Sequence, residues 1–333
     1  MSAGLPVAFD DNPDFNQWLE ENYPVEIEEF SFPASDVLYQ MGYERYLEAL
    51  ERYIADPKIS LTRIENLFPA PIAYYFYQAT HNYQNAHHRL DLLKSCWESI
   101  VFLLFGLVVA EARHRQLDLK GLGIKWKTLW GDRLGGKLDV TENILDHVIK
   151  NSIPFDCAAI IPLPVLADIK VLNQERNGFA HASAKTTAQQ EEFYETLYPQ
   201  LERILRQLIR LEEVKIFRYH DAQTPLWPRC EIFNGSSLDG RKELLKLDKS
   251  NYIDIVDDFD ATAVYAQVMG HAFCLSPFIH FFQESHETNA VLCFYKKTKG
   301  GKYNFEIINR SQDFAFEKET FRVMEGKLRG LVV

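Results

Sequence analysis

Apolar residues recur at helical spacing through the first two thirds of the chain and give way to alternation after about residue 214. Short helical patterns cover Phe15–Tyr23 and Ser35–Ile54, the second through Val37, Leu38, Met41, Tyr46, Leu47 and Leu50, and Asp56-Pro57 stops it. Tyr83 to Arg113 reads as one long helix. Its second half, from Ile100 to Ala110, is an uninterrupted apolar run, which predicts a helix buried on every side. Glycines between Gly121 and Gly136 predict a loop, followed by a short helix over Val140–Asn151.

Pro162 and Pro164 suit a helix start, where a missing N–H costs little, and Val165, Leu166, Ile169 and Leu172 form the apolar face that follows. Thr187-Ala188-Gln189-Gln190 resembles a capping box. It opens an amphipathic helix through Phe193, Leu197, Leu201, Ile204, Leu205, Leu208 and Leu211. Beyond it, Val214–Tyr219 alternates and Asn234-Gly235 signals a turn. Ala290–Tyr295 and Tyr303–Ile308 flank Lys299-Gly300-Gly301-Lys302 as a hairpin. The expected architecture is α+β in three parts: an acidic, mostly helical N-terminal extension (1–80), a helical bundle (81–213) and a smaller β-rich accessory domain (214–333), suited to sensing or partner binding.

Apolar residues make up 47% of the chain and aromatic ones 13%, which places it among folded globular proteins. The five cysteines contain no C-x-x-C pair and read as small buried hydrophobes of a reducing compartment. The N-terminus lacks a basic segment leading into an apolar core, and the run Ile100–Ala110 is too short to span a bilayer. The expectation is a cytoplasmic protein with no membrane partner. Net charge is −11, and residues 1–80 account for nearly all of it, with 14 acids against 4 bases. Such a balance argues against a protein that coats nucleic acid but leaves room for a local RNA site.

One stretch carries a specific chemical suggestion: Asn173-Gln174-Glu175-Arg176-Asn177-Gly178-Phe179-Ala180-His181, containing R-N-x-x-x-H. A histidine can move the proton of a ribose 2′-OH, and an arginine can neutralise charge developing on phosphate. An R-x(4–6)-H spacing arises by chance about once or twice in a chain of this composition. The weight therefore rests on Asn177 and on the helices bracketing the motif. On a regular helix positions five apart diverge by about 140°, so Arg176 and His181 converge only through a break near Gly178 or the reach of the arginine.

A second candidate is the basic stretch Arg113–Lys137, which carries seven bases against Asp118 and Asp132 with Trp126 and Trp130 among them. Phosphate contacts beside aromatic platforms hold single strands, and Lys125, Lys127 and Arg133 are the expected contacts. The structural alternative is an ordinary basic loop with buried tryptophans. His81, His87 and His88 lack H-E-x-x-H spacing, His271, His280 and His286 are scattered, and no metal is expected. There is no P-loop, dinucleotide fingerprint or G-x-S-x-G elbow, and no cofactor is expected.

The motif and the long apolar helix upstream give residues 83–213 a resemblance to the HEPN (higher eukaryotes and prokaryotes nucleotide-binding) family of up-and-down helical bundles. The resemblance implies a metal-independent endoribonuclease working as a homodimer, in which two motifs meet at the two-fold interface as one composite site. It implies His181 as general acid/base, Arg176 on the transition-state phosphate and Asn177 orienting the histidine or holding a phosphate oxygen. The implied products are a 2′,3′-cyclic phosphate and a 5′-OH, and the implied setting is a toxin or antiviral effector cutting cellular RNA such as tRNA, restrained by a regulatory protein partner. Ser183 stands where a related toxin subfamily carries a modified tyrosine, so that regulation is not expected. The rival reading is a non-catalytic dimerisation or adaptor bundle.

Overall fold

A computed structural model describes residues 13–22, 34–179, 186–221, 229–245, 262–284, 289–309 and 313–332. By their contacts they divide into a compact unit at 1–63 and a second at 64–333. The first contains α1 (Pro13–Asn22), α2 (Ala34–Met41) and α3 (Tyr43–Ala55). Gly42 separates the last two, dividing what reads in sequence as one pattern. Phe15, Trp18, Leu19, Leu38, Tyr46, Ala49 and Tyr53 form its core, and the Trp18 indole N–H donates to Asp56 at 3.0 Å. Pro57 then opens α4 (Pro57–Leu67), the position where proline lacks only an N–H that a helix start does not use.

The larger unit continues with α5 (Ala70–His81), α6 (Ala86–His114), α7 (Trp126–Leu129), α8 (Leu134–Lys150), α9 (Asp156–Ile160), α10 (Leu163–Phe179) and α11 (Thr187–Gln207). The Asn85 side chain caps α6 by accepting from His88 N at 2.9 Å. Every residue from Leu103 to Ala112 on α6 is buried, as the unbroken apolar run predicts. The helix is long and apolar enough to cross a membrane, yet 78% of its apolar window lies inside the fold. Two local readings shift. Helix α8 starts at Leu134, taking Gly135 and Gly136 into its first turn, because burial of Leu134 and Leu138 outweighs their low propensity. The capping box is Thr186 with Gln189, one residue before the expected pair.

Antiparallel strands follow. β1 (Lys215–Asp221), β2 (Arg229–Ile232), β3 (Arg241–Leu244), β4 (Tyr265–Val268) and β5 (His271–Cys274) make a sheet in the order β3-β2-β1-β4-β5. β6 (Ile279–Phe282), β7 (Val291–Lys299), β8 (Lys302–Ile307) and β9 (Asp313–Glu317) make a meander, and α12 (Arg322–Val332) closes the described chain. Lys299 pairs with Lys302 across the β7–β8 turn, where Gly300 and Gly301 have φ of 59° and 80°. Both central residues of that tight turn are left-handed, which is why both are glycine.

The helices and sheets of 64–333 share one interior. Phe102 stacks on Phe294 at 5.2 Å, Phe105 meets Phe278 edge-on at 5.0 Å, and a Cβ on Gly106 would lie 2.6 Å from Ile279. The mixed helix-and-sheet class stands as expected. The expected divisions at 80/81 and 213/214 do not coincide with the division by contacts at 63/64, because α6 serves bundle and sheet together.

Candidate functional site

Four helices form a closed ring: α6 touches α8 and α11, and α10 touches the same two. Their directions follow from side-chain pairs. Lys170 on α10 bridges Asp139 and Glu142 of α8 at 2.8 and 2.7 Å, whereas Gly135 faces Asn173, a Cβ there lying 3.7 Å from the amide nitrogen. Positions that rise along α8 fall along α10, so the two are antiparallel. Gln207 near the end of α11 donates to Asp168 near the start of α10 at 2.9 Å, so that pair is antiparallel as well.

Helix α6 runs with α11. Near their starts the Arg89 guanidinium sits 3.5 Å over the Tyr194 ring, and near their ends Glu111 and Arg210 both bond to α9. Strict up-and-down order therefore fails between α6 and α8, which run the same way. The long 115–133 connection permits it by carrying the chain back along the bundle.

Arg176 and Asn177 lie on the last described turn of α10, and the helix passes through Gly178 without a break. Their side chains and the whole of His181 lie outside the described residues. Arg176 and Asn177 thus lie at the end of the bundle where α10 finishes, α11 begins at its Thr186 cap and α8 starts.

The three expected phosphate contacts are all exposed. Lys125 is the residue before α7, Lys127 is on it, and Arg133 precedes α8, two residues before the Gly135 that faces α10. None of the three has a carboxylate partner among the described residues, whereas the neighbouring Arg115 is engaged by Glu111 and Asp156. The tryptophans are committed to packing. Trp130 stacks on Tyr303 at 4.6 Å and 11° and leans on Phe278, while the Arg329 guanidinium covers Trp126 at 5.1 Å. Open stacking platforms are therefore absent at these two rings.

Lys137, the last base of the stretch, is only 1% exposed. Its ammonium faces the rings of Phe105, Phe102 and Tyr295 at 4.4, 5.4 and 5.7 Å. Burial pushes its pKa down to about 8, with the Asp132 charge opposing. The unfolded chain holds this proton more tightly, so stability rises with pH between about 8 and 10.5. Desolvation costs up to about 3 kcal/mol at neutral pH, and the facing rings offset about 1–2 kcal/mol of that. Lys137→Met is expected to raise stability by about 1–3 kcal/mol at pH 7, the advantage shrinking toward pH 10. Urea denaturation at both pH values checks this; a destabilised variant at pH 7 contradicts it.

A buried acidic network escapes motif reading. Glu111, fully buried on α6, accepts from the backbone N–H of Asp156 and Cys157 at the start of α9 at 2.6 and 2.8 Å, and from Arg115 at 2.6 Å. Asp156 in turn faces Arg115 at 3.1 Å and His271 of β5 at 2.6 Å. The one signal in sequence is a lone acid directly following the longest apolar run. Burial and the adjacent Glu111 charge hold the Cys157 thiol far above its usual range, so it is no nucleophile.

His286 lies outside the described residues, and the other histidines weighed for a metal site have local partners. His81 pairs with Glu65 at 2.7 Å, His87 with Asp91 at 3.4 Å, and His88 accepts from Gln84 N at 3.1 Å. Ser276 and His280 lie 3.0 Å apart but are buried among phenylalanines, where the hydroxyl also accepts from Val264 N. No three metal-ligating side chains converge among the described residues. Comparison with family models, with curated proteins and with solved structures returns no match.

Proposed function

We propose that this chain is a metal-independent endoribonuclease of the HEPN type that acts on cellular RNA as a homodimer. The observation that carries the reading is that Arg176 and Asn177 lie at the end of α10, a member of the closed four-helix ring, at the same end as Arg133, which has no carboxylate partner among the described residues. In this reading His181 takes the proton of the 2′-OH as that oxygen attacks the adjacent phosphorus. Arg176 donates to the non-bridging oxygens as charge builds on them, and Asn177 orients the reacting groups. The same histidine of the second copy protonates the departing 5′-oxygen. The bond between phosphorus and that oxygen breaks, leaving a 2′,3′-cyclic phosphate and a 5′-OH. Every proton has a protein donor or acceptor, so the chemistry requires no metal.

A growth-arresting toxin or an antiviral effector held in check by a regulatory protein is the setting that fits such an activity. The test is incubation of purified protein with total cellular RNA and tRNA in EDTA, with the ends of any fragments analysed. The expected fragments carry a 5′-OH, accept phosphate from polynucleotide kinase directly, and end in a cyclic phosphate. Intact RNA throughout, together with normal growth on expression, would favour the adaptor reading instead. Cleavage abolished by EDTA would contradict the metal-free mechanism.

A further inference from the structure

The α6–α8 connection does not stand alone. Lys120 N donates to Leu331 O at 3.0 Å, tying the connection to α12 across more than 200 residues of sequence. Arg329 of α12 lies over Trp126, which leans on Trp130 at 5.5 Å, and Trp130 is in turn stacked on Tyr303 of β8. These rings pack under Arg329, and Lys125 and Lys127 flank Trp126 in sequence. From Trp130 the chain runs within three residues to Arg133, and from there the contact of Gly135 with Asn173 leads onto the last turns of α10. Exposed cations therefore follow one another from α12 to the end of the bundle that carries the motif.

The connection carries two carboxylates, Asp118 and the exposed Asp132 directly before Arg133, and Glu325 stands near Arg329. Asp118 accepts from Gly121 N at 3.0 Å to close a turn, and Glu325 lies 3.6 Å from Arg329 while also accepting from Tyr303. The Arg329 side chain remains 60% exposed although its guanidinium rests on an indole. An exposed guanidinium over an indole can offer its outer face to an unpaired base and its edge to phosphate. A duplex offers it only phosphates, since its bases are already stacked.

We propose that the 115–133 connection and α12 form one surface that holds the phosphate backbone of single-stranded RNA and leads it toward the α10–α11 junction. Lys125, Lys127 and Arg133 contact phosphates, and Arg329 adds a stacking contact. The destination at the junction rests on the ribonuclease reading above; the surface itself does not.

The test uses full-length protein carrying His181→Ala, so that RNA is bound without being cut. A fluorescein-labelled 20-nucleotide oligouridylate is followed by anisotropy between 50 and 200 mM salt. Adding Lys125→Ala, Lys127→Ala and Arg133→Ala together is expected to weaken binding at least about tenfold and to lower the salt slope by about 2. Arg329→Ala is expected to cost about fivefold and Arg329→Lys less. Lys242→Ala on the distant edge strand β3 should leave binding unchanged, and thermal melts confirm that each variant is folded.

No binding by the parent, a triple variant within twofold of it, an equal loss from Lys242→Ala, or tighter binding of duplex RNA overturns the surface. Cleavage assays with His181 intact separate the two readings. Binding lost in the triple variant with no cleavage by wild type leaves the surface standing and removes the ribonuclease. His181-dependent cleavage that the triple variant performs as well as wild type does the reverse.

Discussion

Replacing His181 by alanine is expected to lower RNA cleavage about a thousandfold or more while leaving the fold and RNA binding in place. A positioned acid/base contributes about 10²–10⁴ in rate, and in a symmetric composite site the substitution removes both the base and the acid at once. Arg176→Ala is expected to lower kcat about 10²–10³-fold, the usual cost of losing one donor to a developing anion. Arg176→Lys restores little of it, because a single ammonium does not reproduce two parallel N–H contacts. The proposed dimer predicts a concentration dependence: activity per molecule is expected to fall on dilution as copies separate, and size-exclusion chromatography over the same range should show the dissociation. A His181→Ala protein retaining more than a tenth of wild-type cleavage would remove this histidine from the chemistry.

Glu111→Ala is expected to destabilise the larger unit by about 3–5 kcal/mol. The carboxylate is fully buried and satisfies two N–H groups at the start of α9 together with Arg115. Its removal orphans those donors and leaves a partly buried guanidinium with Asp156 alone, the situation in which breaking a buried pair costs most. Glu111→Gln keeps one acceptor but brings an amide N–H toward donors, and should fall between the two. Denaturant unfolding monitored through the tryptophans measures this, since Trp97 and Trp130 both belong to the larger unit. A loss below about 1 kcal/mol for the alanine variant would show that the network is dispensable.

Periodicity made the helices legible because each buries a face. The stripe through Leu197, Leu201, Ile204 and Leu208 is a row of buried positions on α11 and just beyond it. The unbroken run on α6 marks a helix enclosed on all sides. The hairpin at Gly300-Gly301 was equally plain, since only glycine takes two left-handed positions in succession without strain. The first turn of α8 was hidden by its glycines, whose low propensity is a local quantity overridden by a nonlocal one. Of the candidate site, local order supplied the residue types, the exposed Lys125, Lys127 and Arg133 among them. It was silent on Arg329, which reaches Trp126 only through the fold, and on the Glu111–Asp156–His271 network, whose members come from three elements.

Sequence alone determined the α+β class, the positions of the long helices, the hairpin and the R-N-x-x-x-H suggestion, because these depend on neighbours within about one or two turns. Tertiary structure decided that bundle and sheets share an interior, that α6 and α8 run the same way, and that the tryptophans of the basic stretch are packing residues. It also brought the C-terminal helix against the basic connection. These outcomes depend on which distant apolar surfaces close on one another, and that burial has no local period to reveal it.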